Sequence, residues 1–497
     1  MPAGIALRAR YWISVKHLNP SHSLPRISAF TRVCRRAMRR SVRVGALRRA
    51  WAFSGSALIL AVSLGAAAFA QAVAPPAKPK PQAPPARQAA PSEPGLPALA
   101  HVSNSPLPTL DEGTAQRMTA AMLAYSALEV RGGWPTLPAN AKLAPGARGG
   151  DVTLLRQRLA VTEDLPADKI NGDVYDDAVA AAVRHFQDRH GLPETGSVGP
   201  ATLAALNVPV GRRLHQLAAS IERLAAMDIA YGERYVVVNI PSTVAEAVEG
   251  DHVVRRYVVV VGKTDRPSPT LATMITTVNL NPTWTVPLSI AKKDIITRMR
   301  KDGGYLARMH MRALDAQGND IDPKTIDWNS DRSPNFTLRQ DSGTWNALGA
   351  VRIDMPNPYA VYMHDTNHKN LFSNDYRFES SGCTRVAEVR DLAAWLLADN
   401  PGWGRAEIDA GIEKGQRVDI RLTHKVPVAW TYLTGWVTRD GTVHFRDDIY
   451  GLDDKQPLVA EVHPPTALVA ARASGFVLQS AGERPFEVKP VSYLDSQ

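Results

Sequence analysis

Tyr362-Met363-His364-Asp365-Thr366 and, further on, Ser380-Ser381-Gly382-Cys383-Thr384-Arg385-Val386 set a histidine nineteen residues ahead of a cysteine. Tyr359 to Met363 is short, apolar and aromatic, which predicts a strand that His364 closes, where the backbone aims the imidazole. A thiol attacks as its thiolate, and a histidine that takes the proton supplies one near neutral pH, so such a pair is the minimum for acyl transfer. Gly382 removes side-chain bulk beside the cysteine and lets the Gly382 and Cys383 N–H groups turn toward one point, an oxyanion hole. Arg385 is placed to bind a carboxylate or to orient the loop. The competing reading is a buried free cysteine that only packs. His364 and His368 stand four apart as in a metal pair, but the Glu of H-E-x-x-H and a third ligand are missing, so neither metal nor cofactor is expected.

Outward from this stretch, the text alternates between short runs rich in Val, Ile, Thr and Tyr and turn residues. Tyr235 to Ile240, Val253 to Gly262, Met274 to Asn279, Ala350 to Met355 and Val418 to Leu422 read as strands, a series that argues for a sandwich or barrel with few helices. Residues 291–346 break the rhythm with helical text (Asp294 to Arg300, Gly304 to Met311) and a polar loop. An interruption of that length predicts a lid or binding excursion.

Upstream, Ala115 to Leu128 and Arg212 to Met227 read as helices. Between them Val179, Ala182, Val183 and Phe186 recur at helical spacing, and Gly199-Pro200 opens another short helix. A module of three short helices is expected over 143–209, with helical scaffold at 110–142 and 210–232. Residues 74–108 hold 11 prolines, so 71–109 reads as a semi-rigid linker. Before it, an uncharged run from Trp51 to Ala70 follows Arg48 and Arg49 and ends in Ala68-Phe69-Ala70. Residues 1–70 are therefore read as a secretory signal peptide, with a start at Met38 giving an ordinary length. The alternative is an uncleaved anchor tethering the chain to a membrane.

The net charge of +10 comes from this end: residues 1–51 carry 12 Lys and Arg and no acid, leaving 46 basic against 48 acidic residues in the rest. The body has no basic excess, and nucleic acid is not an expected partner. The two cysteines, Cys34 and Cys383, exclude a disulfide-dense scaffold.

Two resemblances follow from these residues. Gly150-Asp151-Val152 with Leu155, Phe186-Gln187, Gly191-Leu192, Thr195-Gly196 and Thr202-Leu203 resemble the three-helix peptidoglycan-binding module of cell-wall enzymes. The His364 to Arg385 constellation resembles the catalytic domain of L,D-transpeptidases of the YkuD type. Val261-Gly262-Lys263, Asn281 to Pro287, Pro356 to Tyr359, Trp430 to Thr434 and Asp447 to Gly451 extend the likeness to a large subgroup of that family. The resemblance implies Cys383 as nucleophile, His364 as base, Gly382 as the oxyanion-loop glycine and Arg385 as the motif arginine. It also implies that the main-chain carbonyl of Asp365 orients His364, and that the insertion is a cap over a substrate groove. Ser381 stands where many members have a second histidine, and Tyr362, Trp284 and Trp328 are candidates to line the groove, with core packing as the alternative.

The expected whole is an α+β multidomain chain. It has a mainly-β YkuD-like sandwich catalytic domain (233–454) with a helical capping insertion, a three-helix peptidoglycan-binding-like module, and a tail at 455–497. The family implies an exported enzyme of the periplasm or cell envelope that cross-links peptidoglycan stems 3→3 through a Cys383 thioester and is acylated by carbapenems. Hydrolysis of the same stems, transfer to a lipoprotein, and a non-catalytic wall adaptor are the alternatives.

Overall fold

The computed structural model describes residues 98–330 and 334–455. The signal segment, residues 71–97 of the linker and the tail beyond 455 lie outside the described residues. Among the described residues no helix is long and apolar enough to cross a membrane.

Helix α1 (Thr114–Val130) precedes the small module, which consists of α2 (Gly150–Val161), α3 (Asp177–Arg189) and α4 (Pro200–Leu206), and α5 (Val210–Ala225) follows. The Asp176 carboxylate caps α3 by accepting the Val179 N–H at 3.1 Å. Val179, Val183 and Phe186 on its inner face meet Val152, Leu155 and Leu159 of α2 in one buried core.

Strands β1 (Arg234–Asn239), β2 (Val244–Glu249), β3 (His252–Gly262) and β4 (Leu271–Leu280) open the catalytic domain. The insertion holds β5 (Trp284–Thr285), α6 (Leu288–Ile290), a π-helical turn into α7 (Ile296–Lys301), α8 (Tyr305–Arg308), β6 (Met311–Leu314), β7 (Asp320–Ile321) and β8 (Thr337–Gln340). Next come β9 (Val351–Asp354), β10 (Met363–His364), β11 (Phe378–Ser380), β12 (Thr384–Val386), α9 (Val389–Leu396), α10 (Arg405–Glu413) and β13 (Val418–Thr431), then a hairpin of β14 (Gly435–Val437) and β15 (Val443–Phe445).

The main sheet runs β11-β3-β12-β10-β9-β4-β13-β1-β2, and β2 also pairs with β3, so the sheet rolls over and closes on itself. Strand alternation explains the layers. Val236 and Val238 of β1 face the inner core with α9 and α10, whereas Tyr235 and Val237 face the other way, onto α1 and α5. Both faces are covered, which is why β1 reads as a continuous apolar run.

Several sequence expectations are corrected here. Of the expected Tyr359 to Met363 strand only Met363 joins the sheet, together with His364 after it. The Asn357 side chain replaces the ladder, donating to Val361 O (2.8 Å) and accepting the Tyr359 and Val361 N–H groups. The last strand continues far past Leu422, to Thr431, through a register shift between Arg421 and Val426. Helices α9 and α10 were not foreseen. The insertion adds a four-stranded sheet, β5-β8-β6-β7, to its helices and has its own core around Leu306, Met311 and Leu338.

Residues 98–109 are docked and do not act as a spacer. The buried Glu246 carboxylate accepts the Thr109 N–H (2.8 Å) and hydroxyl (3.0 Å) while pairing with Arg256 (2.9 Å), and Val253 N–H donates to Pro106 O (2.7 Å).

The module is fixed to the hairpin by a buried ion pair. Arg189 grips Asp164 with Nε and Nη2 (2.7 and 2.6 Å) and donates from Nη1 to Val443 O (3.0 Å), and Arg446, just after β15, donates to Arg189 O (3.0 Å). Asp164→Ala is expected to strand the Arg189 guanidinium without a counter-charge and to cost about 3–5 kcal/mol, read as a lowered denaturant midpoint.

Candidate active site

Met363 points into the inner core, so His364, one residue on, faces the opposite side of the sheet. There β10 pairs antiparallel with β9, setting His364 against Arg352, and parallel with β12, setting it against Arg385. Arg352 in turn stands against Asn279 of β4, and Asn279 against Asp419 of β13. The result is a polar row across five strands. Asn279 donates to Asp419 (2.8 Å), and Arg352 donates to Asn279 (3.1 Å) and Asp354 (2.8 Å).

Cys383 immediately precedes β12, two places before Arg385, and Thr384 N–H donates to Tyr362 O (3.1 Å). Cys383 lies close enough to the Tyr362 backbone to be hydrogen-bonded by it and to feel the charges of Arg385 and Arg352, while it also packs against the edge of the inner core. The Tyr362 and His364 rings meet at 5.6 Å and 66°, and the Arg352 guanidinium lies 5.3 Å from the Tyr362 ring centre.

His364 Nδ1 is hydrogen-bonded to the main-chain carbonyl of Asp365. A carbonyl only accepts, so Nδ1 carries the proton and the lone pair is left on Nε2, the atom that can serve as a base. Asp365 is itself held on three sides: its N–H donates to Val351 O (2.9 Å), its carboxylate accepts Ala350 N–H (3.0 Å), and Lys369 pairs with the same carboxylate. Gly349, at φ +62°, lets the chain pass against this group, because a Cβ there would lie 2.5 Å from Asp365.

The loop that carries Cys383 differs from expectation at one donor. Gly382 has φ +112°, a conformation that favours glycine, and its N–H donates to Ser380 Oγ (3.2 Å), which in turn donates to Cys383 O (2.5 Å). The Gly382 N–H is thus engaged within the loop, which leaves Cys383 N–H as the donor of that pair for an oxyanion. Ser381 Oγ accepts from Arg266 (3.1 Å), and Arg266 forms a two-pronged ion pair (2.6 and 3.0 Å) with Asp294 of the insertion.

Burial pushes the Cys383 thiol up to about 11, against smaller lowering by the Tyr362 backbone, Arg385 and Arg352. Burial likewise holds His364 down at about 3, helped by the positive charge of Arg385, while the bond to Asp365 opposes the shift. At neutral pH the pair rests as thiol and neutral imidazole. Arg385 is largely buried beside them, and burial lowers its own affinity for the proton. The Tyr362 phenol is raised, chiefly by burial, with Trp284 hydrogen-bonding to it from β5. Trp328 instead packs edge-on against Phe336 at 5.4 Å in the insertion and donates to Pro323 O (2.9 Å), which favours the core reading for it.

Sequence reasoning missed Ser268, Arg266, Asp294, Ser380 and Arg352. Arg352 alone had a usable signal, a charged residue at an alternating position of an otherwise apolar strand.

The site thus combines an imidazole of fixed tautomer, a thiol that shares Arg385 and Arg352 as neighbours with it, and a Cys383 N–H without a hydrogen-bond partner among the described residues. Residues 233–420 match the family described as YkuD, L,D-transpeptidase catalytic domain, and residues 148–206 match the one described as "Putative peptidoglycan binding domain". These two stretches are what the chain shares with the YkuD catalytic domain and the peptidoglycan-binding domain families. A Haemophilus influenzae protein named "Putative L,D-transpeptidase" is 32% identical over 229 residues, 46% of each chain. The chain therefore spans about half the length of that curated relative. Among solved structures, an L,D-transpeptidase from Stackebrandtia nassauensis matches with 13% identity over 60% of this chain and 97% of that one, TM-score 0.23. One from Mycobacterium smegmatis matches with 14% identity over 40% and 58%, TM-score 0.20.

Two outcomes are expected. Alkylation of Cys383 by iodoacetamide should keep rising with pH toward about 11 with no plateau near about pH 6.5, since a thiol held high becomes thiolate only as pH climbs; a plateau from low pH would reveal a preformed thiolate. Gly382→Ala should cost about 1–3 kcal/mol of backbone strain and slow acylation of Cys383 while near-neighbour packing survives, as followed by intact mass and thermal unfolding.

Proposed function

We propose that this protein is an exported cell-envelope L,D-transpeptidase that joins peptidoglycan stem peptides by 3→3 cross-links. The observation that carries the reading is the fixed His364 tautomer, with the imidazole and the Cys383 thiol sharing Arg385 and Arg352 as charged neighbours. The donor is a tetrapeptide stem, and Arg385 is suited by charge to a substrate carboxylate.

The chemistry balances as two acyl transfers. Cys383 Sγ attacks the carbonyl of the diaminopimelate residue while His364 Nε2 takes the thiol proton, and the oxyanion forms toward Cys383 N–H. Collapse breaks the peptide bond, D-alanine leaves with the proton from His364, and a thioester remains. A side-chain amine of a second stem then attacks, His364 accepts its proton, and the sulfur departs and is reprotonated. The neutral resting pair fits this order, because the proton moves as the bond forms.

Water competes with the amine at the thioester. The Arg266–Asp294 pair, which ties the insertion to the nucleophile loop, favours transfer over hydrolysis by keeping the cap close to the sulfur.

Purified protein incubated with tetrapeptide muropeptides should release D-alanine and yield cross-linked dimers, detected by mass, and Cys383→Ala should yield neither. Tripeptides as the sole product would make the protein a hydrolase, and transfer to a lipoprotein lysine in their place would redirect the acceptor. A carbapenem should add its mass at Cys383; absence of any adduct would leave only a wall-binding adaptor.

A further inference from the structure

Beyond β15 the chain returns to the catalytic sheet, and Tyr450 lands behind the nucleophile loop. Its ring stacks on Tyr432 at 5.2 Å and 17° and meets the Phe378 ring near a right angle at 5.6 Å. Its hydroxyl donates to Gly262 O (2.6 Å) and accepts Ser268 N–H (3.2 Å). Ser268 is buried, and its Oγ accepts Gly262 N–H (3.0 Å) and donates to Gly382 O (2.8 Å). These directions are forced: a carbonyl cannot donate and a main-chain N–H cannot accept.

The last bond has a consequence for the reacting centre. Gly382 C=O and Cys383 N–H belong to one planar trans peptide, so they point in opposite directions. Holding the carbonyl to Ser268 on the inner side therefore aims the Cys383 N–H the other way. Glycine at φ +112° has soft torsions on both sides, so the loop needs an external restraint to keep that plane. Tyr450 fixes the restraint in turn: its N–H donates to the Tyr432 hydroxyl (2.8 Å), which donates to Asp448 (2.7 Å).

The geometry points to Ser268 and Tyr450 as positioning residues that orient the Cys383 N–H toward the developing oxyanion. This assignment deepens the acyltransferase reading and rests on it. It also makes the segment around Tyr450, which lies beyond the matched residues 233–420, part of the catalytic support. Neither residue touches substrate; both act through the Gly382 peptide.

The test uses the full chain and its Ser268→Ala, Ser268→Thr and Tyr450→Phe variants. It measures the carbapenem acylation rate, kcat and KM on tetrapeptide muropeptides, and the unfolding midpoint. Loss of an oxyanion donor costs about 100-fold or more in known enzymes, so misaiming one is expected to lower acylation and kcat by roughly 10- to 100-fold in Ser268→Ala. KM should stay within about twofold, because the donor acts on the transition state. Ser268→Thr, which keeps the hydroxyl, should recover most of the rate, and Tyr450→Phe, which keeps the stacked ring, should lose several-fold. Tyr450→Phe decides the matter if Ser268→Ala does not fold. Wild-type rates in Ser268→Ala and Tyr450→Phe, or equal losses in the Ala and Thr variants with a raised KM, would overturn the proposal. A wild-type protein inert to both carbapenem and muropeptide would instead overturn the acyltransferase reading, and this assignment with it.

Discussion

His364 owes its place to a strand of two residues. Met363–His364 is too short to hold a position alone, and it does so because β9 and β12 clamp it from either side while Met363 is fully buried in the inner core. A slip of one residue would exchange the two side chains, turning the imidazole into the apolar core and the thioether onto the polar row. The same clamp fixes Cys383, since β12 begins right after it. One register therefore sets both reacting groups, and the core-facing methionine is what enforces that register.

The electrostatics of this face have two opposed parts. Burial penalises both charged forms, so it raises the thiol and lowers the imidazole, and it is the larger influence on each. Arg385 and Arg352 act differently on the two groups: their positive charge disfavours a second cation on His364 but favours an anion at sulfur. A resting thiolate–imidazolium pair is thereby suppressed at its imidazolium end. In the proposed acyl transfer, negative charge developing at sulfur would meet two cations, and that at the carbonyl oxygen a main-chain donor. Burial thus keeps the Cys383 thiol in its uncharged form near neutral pH.

What was legible in the sequence was whatever depends on residue type and near-neighbour pattern. His364 and Cys383 stand out because few side chains do their chemistry, and the α3 helix because Val179, Val183 and Phe186 repeat at its period. The β5 to β8 sheet was hidden, because strands of two to four residues show no alternation to detect. The Tyr359 to Met363 stretch misled because Asn357 supplies from its side chain the bonds a neighbouring strand would have made. Ser268 and Tyr450 were illegible as support for a different reason. Their partners are main-chain atoms 114 and 188 residues away, and a main-chain carbonyl leaves no mark in the amino-acid text. The linker failed at its end for a similar reason: proline content says nothing about Glu246, 137 residues on, which receives Thr109.

The turn from Lys263 to Ser268 joins three parts of the molecule with bonds of unequal strength. Toward the loop it is firm: Ser268 holds Gly382 O in a buried hydrogen bond, and Lys263 N–H donates to Ser380 O at 3.0 Å. Toward the insertion it is held by Arg266 and Asp294, both partly exposed to solvent, and an ion pair of that kind contributes about 1 kcal/mol or less. A contact that weak opens readily and closes again, whereas breaking the buried bond would leave a carbonyl unsatisfied. The inequality ranks the two attachments: the contact toward the insertion is the weaker, and the peptide plane beside Cys383 is held by the stronger, buried one.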